Sequence, residues 1–272
     1  MNVFVVSRFS PDDATFLQQQ LDVFSDWCTR NRMVLNPAKC SVVSFSRKKQ
    51  TLLHNYRINN VVIPRISRIK DLGVLLDPKL AFTDHVAYIV NKASRNLGFI
   101  FRVTKSFKDV YCLKALFCAL VRSHLEYCSP VWSPYYQNGI ARIESIQRRF
   151  IRFALRHLPW QNSFQLPSYE NRCRLISLDT LETRRATLKS LFVADVLSSR
   201  IECPTLVNSL NVHPRVRLLR NNHRLPVPHR RTNYGSNSAI VGLLRAFNRT
   251  ASAYDPIVSR DTLKQRFLNF FR

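Results

Sequence analysis

Two sets of basic side chains at helical spacing are the residues best suited to chemistry, and phosphate is the group they suit. Lys92, Arg95 and Arg102 share one side of a predicted amphipathic helix whose other side is apolar. A later predicted helix carries an arginine stripe: Arg148, Arg152 and Arg156, flanked by Arg149. Cations along a rigid helix can follow a row of phosphates without reading sequence. Solvated helices also carry charge, so the lack of balancing acids is what favours binding.

The whole chain is strongly basic. In 272 residues, 42 Lys and Arg stand against 17 Asp and Glu, a formal net charge of +25, which predicts a polyanionic partner. Nucleic acid is favoured over a membrane, because no apolar run is long enough to span a bilayer. The dispersed acids disfavour a nuclease. The seven cysteines form no C-x-x-C pair, which predicts reduced thiols and no metal site.

One adjacent pair of aspartates, Asp12-Asp13, is of a kind that can hold two metal ions. Its context instead predicts a helix start, with Ser10 as N-cap, Pro11 in the first position and the acids at the positive end of the dipole. The predicted helix continues to about Asn31. Its predicted buried stripe consists of Leu17, Leu21, Phe24 and Cys28.

Short strands are predicted on both sides of this helix. Apolar or alternating runs mark three of them: Met1–Ser7, Cys40–Ser46 and Ile66–Leu76. Asn59-Asn60 tolerates the positive φ of a tight turn and predicts a hairpin over residues 56–63. Gly73 lies inside the third strand, which predicts a bulge or the close approach of another backbone.

From Phe82 onward the apolar period becomes helical. The predicted bundle has three amphipathic helices, one from Phe82 to about Arg102, one over Asp109–Tyr127 and one over Ile140–Leu158. A fourth helix is predicted over 178–200. Residues 203–254 contain eight arginines and no acid, which predicts an extended basic segment. A last helix over 263–271 is predicted to dock through its terminal Phe270-Phe271.

Three aromatic side chains after the second bundle helix, Trp132, Tyr135 and Tyr136, are candidates for stacking on bases. Core packing or a capped loop is the preferred interpretation of all three.

Residues 1 to about 160 resemble the region after the catalytic turn in reverse transcriptases of non-LTR, LINE-type retrotransposons, most of all the Jockey-like group. Four groups of residues carry the resemblance: Leu21 through Trp27 to Asn36 with Lys39-Cys40; Asp71-Leu72-Gly73-Val74 with Asp77 and Leu80; Lys92-Ala93 with Leu97-Gly98; and Leu125 through Trp132. Beyond residue 160 the resemblance is thinner and rests on His229, Thr232, Tyr234, Phe247-Asn248 and the terminal helix.

The resemblance implies an RNA-directed DNA polymerase with a palm that binds two metal ions and a thumb that grips template and primer. The family's metal ligands are an aspartate in an early palm strand and an aromatic-x-Asp-Asp turn. Neither motif occurs in this sequence, and the turn is expected just before Met1. The chain alone is expected to hold no cofactor and to incorporate no nucleotide, with Mg²⁺ expected only in the full-length polymerase.

Two further sites are implied by the resemblance. Lys39 matches the lysine that is proposed to protonate the leaving pyrophosphate, where a cation both neutralises charge and delivers a proton; the alternative is an ordinary surface lysine. Asp71, Leu72, Gly73 and Val74 match the primer grip, where a glycine lets the backbone approach the primer. Here the alternative is a plain buried strand with a bulge.

The sequence therefore predicts an α+β fold, with a small palm-edge β-sheet and one helix, then a mostly α-helical thumb bundle and a basic C-terminal extension. The predicted segments are a partial palm with a primer-grip hairpin (1–78), a thumb (79–160), and a helical connection with an arginine-rich extension (161–272). The predicted function is that of a reverse-transcriptase fragment in the nucleus and cytoplasm. Its expected partners are RNA, RNA–DNA hybrid or DNA, without sequence preference, and the rest of the enzyme. The alternative is a non-catalytic nucleic-acid-binding protein or an inactive remnant derived from such an element.

Overall fold

The chain divides into two compact units, residues 1–84 and 85–272. The structure, a computed structural model, describes residues 11–48, 53–156, 167–210 and 225–271. It is mostly helical with two small antiparallel sheets, which confirms the predicted α+β class. The predicted segments 79–160 and 161–272 both contribute helices to the second unit. The predicted strand at 1–7 and the predicted cap Ser10 lie outside the described residues.

Helix α1 (Pro11–Arg30) opens the described part of the first unit. Its first turn holds Asp12 and Asp13 and its last turn holds Arg30, as favoured by the helix dipole. The predicted stripe faces inward: Cys28 is buried, and Leu17, Leu21 and Phe24 are half-buried.

The predicted hairpin at 56–63 is confirmed. Strands β1 (Arg57–Ile58) and β2 (Val61–Val62) pair antiparallel across Asn59 and Asn60. These asparagines have φ values of 50° and 64°, as a two-residue type I′ turn requires. The Gln18 carboxamide of α1 exchanges two hydrogen bonds with the Arg57 backbone, at 2.9 and 3.0 Å. This pair fixes the hairpin to the helix.

The predicted strand over Cys40–Ser46 is wrong. The segment makes one isolated parallel bridge, between Val42 and Arg65. In that bridge the Val42 N–H donates to the Pro64 carbonyl at 3.0 Å, and the Ile66 N–H donates to the Val42 carbonyl at 2.9 Å. The alternation of the sequence is suitable for a strand, but among the residues that the structure describes no strand continues the ladder beyond this bridge, and pairing is what stabilises a strand.

The predicted single strand over Ile66–Leu76 is also wrong, because it is a second hairpin. Strands β3 (Ile69–Asp71) and β4 (Val74–Leu76) pair antiparallel. Leu72 and Gly73 form the turn, with φ values of 43° and 88°. Gly73 is therefore a turn residue, and the bulge predicted at this position does not form.

Replacing Gly73 with alanine is expected to destabilise this hairpin. A side chain at a φ of 88° is strained, at a cost of about 1–2 kcal/mol. Gly98→Ala is the matched control, because Gly98 lies inside a helix and an added Cβ would lie 3.9 Å from the Arg102 guanidinium, an ordinary contact distance. That control is expected to stabilise the chain by up to about 1 kcal/mol. Urea denaturation followed by circular dichroism measures both, and equal effects would contradict the turn assignment.

The second unit begins with a group of helices around the predicted bundle. Their bounds are α2 (Thr83–Val103, which starts at the division between the units), α3 (Val110–Phe117), α4 (Ser123–Glu126), α5 (Ser129–Trp132) and α6 (Gln137–Ala154). A π-helical segment, Cys118–Arg122, joins α3 to α4. Leu113, Phe117, Val121 and Leu125 are all fully buried at intervals of four residues. An interval of four residues is longer than one α-helical turn, so a stripe with this spacing would drift around a regular α-helix. The wider turn of the π-helical segment compensates for this drift, and all four side chains stay on the core.

The segment from Leu125 to Trp132 contains the end of α4, a two-residue turn at Tyr127 and Cys128, and α5. Cys128 takes a φ of 53° in this turn. Trp132 is 1% exposed, its indole N–H donates to the Tyr127 carbonyl at 2.7 Å, and its ring lies edge-on to His85. The core-packing interpretation of Trp132 is confirmed, and this side chain cannot stack on a base.

The remaining helices of the second unit surround α8. Their bounds are α7 (Tyr169–Leu175), α8 (Leu181–Leu197), α9 (Pro204–Ser209), α10 (Asn233–Ser236), α11 (Ala239–Thr250) and α12 (Arg260–Phe271). Leu191, Val193 and Ala194 of α8 pack against buried apolar side chains of the last two helices: Leu243, Phe247, Leu263 and Phe267. The fourth predicted helix is therefore the centre of this unit.

Two predictions for the C-terminal region are corrected by this packing. Residues 203–254 are not one extended basic segment, because α9, α10 and α11 form within them and α11 packs on α8. The last helix docks through Phe267, which is fully buried, whereas Phe270 is 48% exposed. In α11 an apolar stripe at helical spacing outweighs the arginine-rich composition, and in the last helix the position of Phe267 on the buried stripe decides which side chain docks.

No helix in the described part of the chain is both long enough and apolar enough to cross a membrane.

Candidate nucleic-acid interface

Helices α2 and α6 present a joined basic face in the second unit. The Arg149 guanidinium donates to the Ser94 hydroxyl at 3.0 Å, and the rings of Phe101 and Phe153 stack with centroids 4.2 Å apart. These contacts place the two helices side by side. We define the basic face as Arg95 and Arg102 of α2 with Arg149 and Arg152 of α6, all of them exposed.

Helical spacing explains why these four side chains face away from the core. Arg95 and Arg102 are seven residues apart, which is about two turns, and so lie on one side of α2. The opposite side carries the buried residues Ala93, Leu97 and Ile100. Arg152 likewise stands opposite the buried side of α6. The apolar seam of each helix therefore determines the direction of its cations.

Acids are nearly absent from the two helices that carry the basic face. Asp84 is the only acid of α2 and lies in its first turn. Glu144 is the only acid of α6, is 5% exposed and is turned inward. There it accepts hydrogen bonds from the Tyr169 hydroxyl and from the Leu181 N–H, the latter at 3.0 Å. The pKa of Tyr169 is raised far above its ordinary range, mainly by burial and secondarily by the Glu144 carboxylate. The basic face thus has no neutralising carboxylate on its own helices.

Three of the seven predicted cations point elsewhere. Lys92 lies near His124 of α4. The pKa of His124 is lowered mainly by burial and secondarily by the charge of Lys92. The Arg148 guanidinium covers the ring of Tyr169, 4.9 Å from its centroid.

Arg156 does not continue the arginine stripe, because α6 ends at Ala154. Its guanidinium donates to the carbonyl groups of Thr104, Lys105 and Phe107 at 2.9–3.3 Å. It also lies 3.8 Å from the ring centroid of Phe153, and burial lowers its pKa. Arg156 therefore satisfies carbonyl groups beyond the end of α2, and its donors are occupied within the protein.

Arg142 is a basic residue of this region that sequence reasoning missed. It is exposed and lies seven residues before Arg149, on the same side of α6. The predicted helix began at Ile140, so Arg142 fell at its frayed start, whereas α6 begins at Gln137. A helix start assigned three residues earlier would have placed Arg142 beyond the first turn, in line with Arg149.

The two sites implied by resemblance both lie in the first unit. Lys39 is exposed in a 3-10 turn, Pro37–Lys39, which Asn36 caps by accepting from the Ala38 N–H at 3.0 Å. Asp71 and Val74 are the last pair of the β3–β4 ladder, and Leu72 between them is 81% exposed. The proton-donor and primer-grip assignments stay predictions.

Asp77, which belongs to the resemblance, has a structural task in the same unit. Its carboxylate accepts from the N–H groups of Lys79, Ala81 and Phe82 at 2.9–3.0 Å. Leu80 and Phe82 have positive φ in this loop. The carboxylate therefore shapes the loop that precedes α2.

The described residues contain no group of three or more His, Cys, Asp or Glu side chains that could hold a metal ion. The two metal ions implied by the resemblance thus have no ligand set in that part of the chain.

Among curated proteins, the chain is similar to a transposon polymerase. It is 28% identical over 148 residues to the "Probable RNA-directed DNA polymerase from transposon X-element" of Drosophila melanogaster. The match covers 54% of this chain and 16% of the relative, so the chain spans a small part of the relative's length. No family model and no solved structure matches the chain. The chain therefore contains a region related to reverse transcriptases.

Proposed function

We propose that this chain is a template–primer-gripping part of a non-LTR, LINE-type retrotransposon reverse transcriptase, with residues 79–160 acting as thumb. The observation that carries the proposal is the basic face of α2 and α6, two helices whose acids are limited to Asp84 in the first turn of α2 and the buried Glu144 of α6. The relative's identity as a transposon polymerase supports it.

The proposed mode of binding is contact with phosphates, without readout of bases. The four cations of the basic face are exposed on two helices joined by the Arg149–Ser94 hydrogen bond. Guanidinium groups on such a scaffold contact phosphate oxygens whatever the base sequence. The rings of Tyr135 and Tyr136 contact each other at a tilt of 38°, with centroids 4.2 Å apart, and we assign them no base contact. RNA, RNA–DNA hybrid and DNA are therefore all proposed ligands.

The turn of the β3–β4 hairpin is the proposed primer contact of the first unit. Leu72 combines high exposure with a φ of 43°, a conformation that is costly for a branched apolar residue. Strain of this kind concentrates at functional turns, which supports the primer-grip assignment of Asp71 to Val74. Lys39 stays the proposed proton donor, since its exposed position in a capped turn leaves it accessible to a phosphate.

Catalysis is proposed only for the complete polymerase. An aromatic-x-Asp-Asp turn does not occur in these 272 residues, and Mg²⁺ is expected to bind where such a turn is present. The proposed setting is the nucleus and cytoplasm, together with the rest of the enzyme. The second candidate function is a non-catalytic nucleic-acid-binding protein or an inactive remnant of such an element, which the basic face alone would also fit.

Removing the basic face is expected to abolish most of the binding. Changing Arg95, Arg102, Arg149 and Arg152 together to glutamine should weaken affinity for a short RNA–DNA hybrid roughly a hundredfold at about 0.1 M salt, because each lost cation forfeits one phosphate contact and its counterion release. Fluorescence anisotropy with labelled hybrids of two unrelated sequences measures this effect. Both sequences should lose affinity equally.

A matched control removes four exposed arginines that lie outside the basic face. Its changes, all to glutamine, are at Arg30, Arg32, Arg174 and Arg231. The control has the same net charge as the test variant, so a purely nonspecific charge effect would weaken both alike. Equal losses in the two variants would overturn the proposed interface.

A further inference from the structure

A second basic site lies in the second unit, in a cleft of about 200 Å³ between α8 and α11. Two cations come from α8, Arg185 and Lys189, and two from α11, Arg245 and Arg249. Glu182 is the one acid among the residues that line it. The cleft is separate from the basic face, which is built on α2 and α6.

Small residues on both helices create this cleft. Ala186 of α8 and Gly242 of α11 line it, and a Cβ at Gly242 would lie 3.5 Å from the Lys189 ammonium. The ammonium of Lys189 is therefore directed across the backbone of α11. On each helix the two cations are one turn apart, so the four charged groups converge on one space.

The two cations of α8 are desolvated, and nearby carboxylates offset this only in part: burial lowers the pKa of Arg185 although Glu144 and Glu182 act in the opposite direction. Arg185 is 2% exposed, and its Nη1 group finds no hydrogen-bond acceptor in the described residues. Burial first, and the nearby Arg185 second, lower the pKa of Lys189 to about 8. A buried cation whose desolvation is only partly offset is costly, and a bound anion lowers that cost.

We propose that this cleft binds a phosphate group. The guanidinium groups offer paired N–H donors that match a phosphate's oxygens, and the lysine adds a compact charge. Four cations against Glu182 leave a net positive site that suits a phosphate better than a carboxylate. A volume of about 200 Å³ is below the range of pockets for drug-sized ligands, which begins at roughly 300 Å³. The phosphate can come from solution as a free ion or from a nucleic-acid backbone.

The test is isothermal titration calorimetry on the full chain. Inorganic phosphate is titrated in one experiment, and a short unlabelled single-stranded oligonucleotide without terminal phosphates is titrated in another. Lys189→Met keeps the length of the side chain and removes its charge, so the fold should be retained. We expect it to weaken phosphate binding roughly tenfold, as expected for a charged hydrogen bond. Arg231→Gln is the control, because Arg231 is exposed and lies outside the cleft, and it should bind like the unmodified chain.

The two sources of phosphate are distinguished by competition. If the site takes a free ion, inorganic phosphate binds and the oligonucleotide does not displace it. If it takes a backbone phosphate, the oligonucleotide displaces inorganic phosphate, and Lys189→Met weakens both. Absence of phosphate binding, or equal binding by Lys189→Met and Arg231→Gln, overturns the proposal.

A spectroscopic readout separates this proposal from the proposed grip on template and primer. Bound phosphate should raise the pKa of Lys189, followed by NMR of its side chain, because the anion favours the charged ammonium. The charged groups facing Lys189 in the cleft are Glu182 and Arg185 from α8 and Arg245 and Arg249 from α11. The shift is expected even if the basic face of α2 and α6 proves not to bind nucleic acid, and an unchanged pKa at saturating phosphate contradicts the cleft assignment.

Discussion

Replacing Glu126 with alanine lowers the free energy of unfolding by about 3 kcal/mol, because it leaves a desolvated arginine without its partner. Glu126 follows the π-helical segment, and its carboxylate accepts two hydrogen bonds from Arg184 of α8, one of them at 2.9 Å. Both side chains are less than one-sixth exposed. Arg122 approaches the same carboxylate at 3.8 Å and would also lose its counter-ion. Urea denaturation monitored by circular dichroism measures the loss.

The double variant Glu126→Leu, Arg184→Leu is the control for this prediction. Replacing both members of a buried ion pair with apolar side chains of similar size is often close to neutral, whereas removing one member is costly. We therefore expect the double variant to be more stable than Glu126→Ala. A loss below about 0.5 kcal/mol in Glu126→Ala would show that this ion pair does not hold α4 to α8.

Replacing Phe247 with alanine is expected to cost about 3–5 kcal/mol, the range for deleting a buried phenylalanine side chain. Phe247 is fully buried on α11, belongs to the apolar cluster with Leu191 and Phe267, and meets the ring of Tyr254 edge-on at 5.2 Å. Removing its ring leaves a cavity at the junction of three helices. Thermal and urea denaturation report the change.

Phe270→Ala provides a matched control for Phe247→Ala. It deletes the same side chain from a position that is half-exposed, so we expect it to cost less than about 1 kcal/mol. Equal costs at the two positions would mean that α11 is not part of the core and that residues 203–254 are the extended segment expected from composition.

Local signals in the sequence were sufficient where the chain itself carries the information. The hairpin at Asn59-Asn60 follows from two residues that tolerate positive φ, and the structure has that turn. The inward stripes of α2 and α6 follow from helical periodicity. These elements need no knowledge of distant partners, since turn chemistry and spacing define them.

Elements that depend on a partner were not predictable in the same way. Residues 40–46 have a strand's alternation, but in the described part of the chain they pair only through the Val42–Arg65 bridge. Helix α11 lies in an arginine-rich stretch whose composition favours an extended segment. Its apolar stripe of Val241, Leu244 and Phe247 is buried because α8 packs against it, and the sequence alone does not show that contact. Leucine is not typical of a turn with positive φ, so Leu72 does not indicate the second hairpin and the sequence predicts one strand there.

The candidate interface was predictable in its composition but not in its final membership. The sequence indicated the two helices of the candidate interface, while tertiary contacts decided that Arg156 would bind carbonyl groups and that Lys92 would lie near His124. The phosphate cleft left no signal in the sequence, because its four cations come from two helices that are distant along the chain.

The salt dependence of hybrid binding tests the central claim most directly. For the unmodified chain, log affinity should fall linearly with log salt concentration, and the variant lacking Arg95, Arg102, Arg149 and Arg152 should show a slope shallower by about 3 to 4, close to one counterion for each lost phosphate contact. The control lacking four arginines outside the basic face should keep the slope of the unmodified chain. Identical slopes for all three proteins would contradict phosphate binding by the basic face of α2 and α6.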